Sequence, residues 1–202
     1  MAEATPRLRK KRLGVVVLIV LASLLTLGAG GLGAWGLFFG FERPLRPGDS
    51  EVFVTFDRLA EQVPGLTKTP RSETFHRKRF LDGSFEVAYE YEDENLSIDS
   101  SANHERSTRD AKALFTGVRL AIPATVKVAT DVELVPRNDL YSGGDDHYCA
   151  AMMSDGFAGG HALVVLDGKD VFTLMIGGAF VDSPAEFRAL VQPRLDALKR
   201  LR

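Results

Sequence analysis

The side chains best suited to chemistry lie together at Asp145-Asp146-His147-Tyr148-Cys149. Alternate residues of a β-strand share a face, so a strand here would point Asp145, His147 and Cys149 the same way. An imidazole and a thiolate suit zinc or copper, and His161 on a neighbouring strand would supply the fourth ligand. The plainer reading is an acidic turn that enters a strand whose Cys and His pack in the core. Three residues make a weak signature, and the sequence assigns neither a metal nor any other cofactor from it. A cysteine nucleophile needs a base within hydrogen-bond reach, whereas residues two apart on a strand are separated by roughly 6.5 Å along the backbone. His147 is therefore poorly placed to activate Cys149.

Other fragments that resemble catalytic motifs are incomplete. Tyr141-Ser142-Gly143-Gly144 lacks the G-x-S-x-G elbow of a serine hydrolase, and His104-Glu105 lacks the second histidine of a zinc-protease helix. The pairs Gly143-Gly144, Gly159-Gly160 and Gly177-Gly178 lack the Lys-Ser/Thr of a phosphate loop and read as turns and strand ends. Cys149 is the only cysteine, so the chain forms no internal disulfide, and a buried structural thiol is the simplest role for it. Asn95-Leu96-Ser97 matches the N-glycosylation sequon, which matters only in a secretory-pathway host.

Sequence patterning indicates the elements that must position these groups. Val52 to Phe56 reads as a short strand, and Arg58 to Val63 as one or two helical turns that Pro64-Gly65 would end. Glu73 to Leu81 and Ser84 to Glu92 flank Asp82-Gly83, a dipeptide suited to a two-residue hairpin turn. That turn would set Phe80 opposite Phe85, His76 opposite Tyr89, and Arg79 opposite Glu86. Phe85, Val87, Tyr89 and Tyr91 alternate with Glu86, Glu90 and Glu92, as a half-buried antiparallel strand requires. Leu96 and Ile98 suggest a third strand.

Ser107 starts an amphipathic helix with Ala111, Leu114, Phe115, Val118 and Ile122 on its apolar face, ending at Pro123. Strands are expected at Val126 to Ala129, Val132 to Val135, Asp146 to Met153, His161 to Leu166 and Val171 to Ile176. The last two are joined by the turn Asp167-Gly168-Lys169-Asp170. Ser183, Pro184 and Glu186 open a final helix whose stripe is Phe187, Leu190, Val191, Leu195 and Leu198, with Pro193 expected to kink or divide it. This order predicts an α+β fold with a mostly antiparallel sheet and helices packed on one face.

The N-terminus indicates location. Residues 1 to 12 hold Arg7, Arg9, Lys10, Lys11 and Arg12 against one acid, and Leu13 to Phe41 follow without a charged side chain. That run exceeds the roughly 20 apolar residues that cross a bilayer, so residues 13 to 41 read as a transmembrane helix with an interfacial flank. It is also longer than the roughly 7 to 15 apolar residues of a cleaved signal peptide. The positive-inside bias makes residues 1 to 12 a cytoplasmic tail and places everything after the helix outside the cytoplasm. Ala22, Thr26, Ala29, Gly33, Gly36 and Gly40 recur at spacings of four and three, a small-residue face that would allow two such helices to pair.

Residues 42 to 50, with Pro44, Pro47 and Gly48, read as a linker, and 51 to 202 as a single domain. From residue 42 onward there are 20 Lys and Arg against 26 Asp and Glu, which argues against nucleic-acid binding. The expected partners are the lipid bilayer, and a second copy or another membrane protein through the helix. The chain thus reads as a membrane-anchored extracytoplasmic binding or assembly module. The alternative is an extracytoplasmic enzyme or metal-binding protein that uses the Asp145, His147 and Cys149 face.

Overall fold

The computed structural model describes residues 40–69, 73–129 and 132–201. The expected transmembrane segment and tail lie almost wholly outside these residues; among the described residues, no helix is long and apolar enough to cross a membrane. The described residues form one eight-stranded, wholly antiparallel sheet. Strands β1 (Phe41–Glu42), β2 (Glu73–Arg79), β3 (Phe85–Glu92) and β4 (Ser97–His104) run consecutively across one half. Strands β5 (Glu133–Pro136), β6 (Asp146–Ser154), β7 (Phe157–Asp167) and β8 (Asp170–Gly177) fill the other, and β4 pairs with β8 at the centre. Three α-helices are described: α1 (Phe56–Gln62), α2 (Thr108–Ala129) and α3 (Pro184–Arg200). The fold is therefore α+β.

The helices cover both faces of the sheet, not one as expected. Side chains from β3, β4, β6, β7 and β8 that include Tyr89, Ile98, Cys149, Leu163 and Leu174 form a core with α1 and with Phe187, Leu190, Val191, Leu195 and Leu198 of α3. On the opposite face Ala162, Val164, Leu166, Val171 and Met175 pack against Ala111, Phe115, Val118, Ile122 and Val126 of α2. The physical reason lies in β7 and β8, where nearly every residue from Gly160 to Ile176 is buried. A strand apolar on both faces needs cover on both.

Ser107 caps α2, its Oγ accepting from the Asp110 N–H at 3.1 Å. The helix does not stop at Pro123, and Val126 to Ala129, expected to be a strand, forms its last turn. An interior proline costs a helix about 3 kcal/mol, but burial of Ile122 and Val126 on the sheet offsets much of it. Likewise α3 is one continuous helix through Pro193, capped by Ser183 Oγ accepting from Glu186 N–H at 3.4 Å.

The first hairpin closes differently from the sequence expectation. Arg79 faces Phe85, Lys78 faces Glu86 and Phe75 faces Tyr89, one residue out of the expected register. The loop holds three residues, Leu81, Asp82 and Gly83, because Phe80 N–H donates to the Ser84 carbonyl and Gly83 adopts φ 91. Asp82 accepts from both the backbone N–H and the hydroxyl of Ser84, which stabilises this longer turn. The shift turns Arg77, not His76, toward the buried face, where it pairs with buried Asp49 and lies over the Phe85 ring.

Residues 42 to 50, read from sequence as a linker, are tied into the fold. Glu42 belongs to β1, and Asp49 opens a 3-10 helix (Asp49–Val52) and accepts from the Arg46 N–H. Val52 to Phe56 is not a strand. Val54 N–H donates to Ser100 Oγ and Phe56 N–H to Tyr89 Oη, both at 3.0 Å, so sheet side chains satisfy this segment where a strand would use a neighbour.

Candidate functional site

The candidate metal face does not assemble as a ligand set. Asp145 precedes β6, and its Oδ2 accepts from the Gly168 N–H at 2.8 Å, which pins the turn between β7 and β8. His147 is half-buried with its ring edge-on to Tyr141. Cys149 is fully buried in the core, and burial pushes its thiol up to about 12. A thiol held neutral in an apolar core is neither a ready metal ligand nor a nucleophile. Among the described residues, no group of three or more His, Cys, Asp or Glu side chains is arranged to hold a metal ion.

His161 does share the buried face with Cys149, since the β6 and β7 register sets Cys149 opposite Leu163 and Ala151 opposite His161. Its role there is structural. Nε2 accepts from the Val181 N–H at 2.8 Å, so the neutral ring carries its proton on Nδ1, which has no hydrogen-bond partner among the described residues. The imidazole stacks on Phe180 at 4.4 Å and packs on Phe187 at 4.5 Å. Burial, with nearby Arg137 adding to it, lowers its pKa to about 4.

Arg137 closes this end of the sheet. It bridges Asp139 at 2.9 Å and Asp182 at 3.1 Å and lies over the Phe180 ring, joining the loop after β5 to the loop before α3. Tyr141 Oη meets Gln192 Oε1 at 3.2 Å on α3. The outer side of α3 carries a shallow open groove lined by Arg188, Gln192, Pro193, Asp196 and Arg200, all from that one helix.

Two further arrangements emerge only from the register. His104 on β4 holds Nδ1 at 2.6 Å from Asp170 Oδ1 on β8, the orientation a catalytic histidine takes from its carboxylate. Ser84, which precedes the cross-strand neighbour Phe85, donates to Asp82, and Ser107 donates to Asp110 while capping α2. On the face opposite Cys149, buried Asp99 sits across from Glu90 and near Glu86. Burial first, then those two carboxylates, push its acid up to about 7. Neither pair was legible in sequence, because each joins residues whose proximity depends on strand order.

Of the proposed helix-pairing face, Ala22, Thr26, Ala29, Gly33 and Gly36 lie outside the described residues. Gly40 is described, and it is not helical. A Cβ there would come within 3.0 Å of Lys78 Cβ and 3.1 Å of the Phe80 ring, so a close approach to the sheet edge accounts for this glycine. No family model matches the chain, and no curated protein or solved structure matches it either.

Proposed function

We propose that the chain is a membrane-anchored binding or assembly module, with the apolar run from residue 13 to residue 39 as a single-pass anchor and the α+β domain, from β1 onward, outside the cytoplasm. The observation that supports this most is where the sheet begins. Strand β1 starts at Phe41, the last residue of the uncharged run, so no free spacer separates the apolar segment from the folded domain. The groups best suited to chemistry, Cys149, His161 and Asp145, are each engaged in packing or turn formation.

An assembly role draws support from the sheet edge. Strand β1 pairs only with Arg79 and Lys78, so the outer edge of β2 from Glu73 to His76 has no strand beside it among the described residues. Such an edge accepts an extended partner segment by strand addition. The anchor reading is tested by alkaline carbonate extraction of native membranes with intact-mass measurement. The full-length chain in the pellet is expected. Release into the supernatant, or loss of about the first 33 residues as after signal-peptide cleavage, would contradict it.

A further inference from the structure

One corner of the sheet combines exposed apolar side chains with cations, and the apolar N-terminal segment arrives there. Phe41 is 54 % and Leu81 64 % exposed, although both are large hydrophobics. Phe41 pairs with Arg79, Phe80 packs beside Gly40, and Leu81 follows in the hairpin loop. Arg43 and Arg79 are exposed at the same corner, and half-exposed Lys78 lies between Glu42 and Glu86 on the adjacent strands. Phe157, 79 % exposed, sits across the sheet at the start of β7.

Helical residues 13 to 39 would measure about 40 Å, close to the roughly 40–45 Å of a bilayer with its headgroups. Gly40, the next residue, would then emerge at headgroup level and place this corner against the lipid. Exposed Phe41 and Leu81 flanked by Arg43 and Arg79 suit that boundary: the apolar groups enter the acyl edge and the two guanidinium groups meet phosphates.

We propose that Phe41, Phe80 and Leu81, with Arg43 and Arg79, form a membrane-contact corner that seats the domain on the bilayer its own anchor crosses. The contact is a second attachment beside the span and fixes the domain's orientation. The inference rests on the anchor reading above, and the test separates the two.

The full-length chain is reconstituted into phosphatidylcholine vesicles with and without phosphatidylglycerol, carrying a nitroxide at Leu81→Cys or, as the distant reference, at Phe157→Cys. Native Cys149 is fully buried and does not compete for the label. The ratio of oxygen to nickel-chelate collision rates should be about threefold higher at position 81 than at 157, with a further rise at position 81 when phosphatidylglycerol is present. Equal ratios at the two positions, with the protein still retained by vesicles after carbonate treatment, would overturn the contact and leave the anchor standing. Loss of the protein from the vesicles would overturn both.

Discussion

His161 and Asp99 are buried titratable groups with opposite consequences for stability. The pKa of His161 falls to about 4 in the fold, so its neutral form is favoured there, and its contribution is present above the unfolded value near 6.5 and lost as pH drops toward 4. The full loss is about 3 kcal/mol, and His161→Gln should flatten the acid limb of a Tm-against-pH curve. Asp99 works the other way. Its acid form is favoured, so its contribution is complete below about pH 4 and lost as pH rises through about 7. Asp99→Asn should therefore stabilise the domain at pH 8, by roughly 1–3 kcal/mol, and change little at pH 4. A Tm that falls at pH 8 would show that Asp99 is not held against its charge. The sequence indicated that His147 and Cys149 belong to a strand. Whether they formed a site or a core depended on β7 and α3, which periodicity in β6 does not reveal.

At the scale of elements, the glycines in turns differ sharply in what they must avoid. Gly83 has φ 91 with open space around it, so Gly83→Ala should cost about 1 kcal/mol, from backbone conformation alone. Gly178 has φ 93, and a Cβ there would fall 1.8 Å from the Asn95 carbonyl oxygen. Gly178→Ala should thus cost roughly 3 kcal/mol or more, and the two variants are compared by urea denaturation. Asp49→Ala should be similarly severe, about 3–5 kcal/mol, because it strands the buried Arg77 guanidinium. Most helices and strands were legible because their apolar spacing and caps are local, as at Ser107 and Ser183. The hairpin register was not: Asp82-Gly83 fits a two-residue loop, whereas the bonds that Ser84 donates to Asp82 favour the longer one. The stop assigned to Pro123 failed because packing in the second core offsets much of proline's local penalty. Pairing of the N-terminal segment remains a proposal carried by Ala22, Thr26, Ala29, Gly33 and Gly36. Gly33→Ile and Gly36→Ile should both weaken self-association in a bilayer assay.

For the whole molecule, the arrangement is a sheet covered on both faces, whose first strand starts where the uncharged segment ends. The α+β class was legible from the order of hairpins and helices. The two-sided cover was not, because it depends on β7 and β8 lying at the centre beside β4. The domain is expected to face away from the cytoplasm, and one thiol-labelling experiment tests this directly. Leu120 projects from α2 at 68 % exposure, whereas the native Cys149 is fully buried, so Leu120→Cys supplies a single reactive thiol in the folded chain. Sealed membrane vesicles with their extracytoplasmic face outward are treated with a membrane-impermeant maleimide. Labelling of Leu120→Cys before permeabilisation, equal to that after it, is the predicted result; labelling that appears only once the vesicles are opened would place the domain in the cytoplasm and contradict the account.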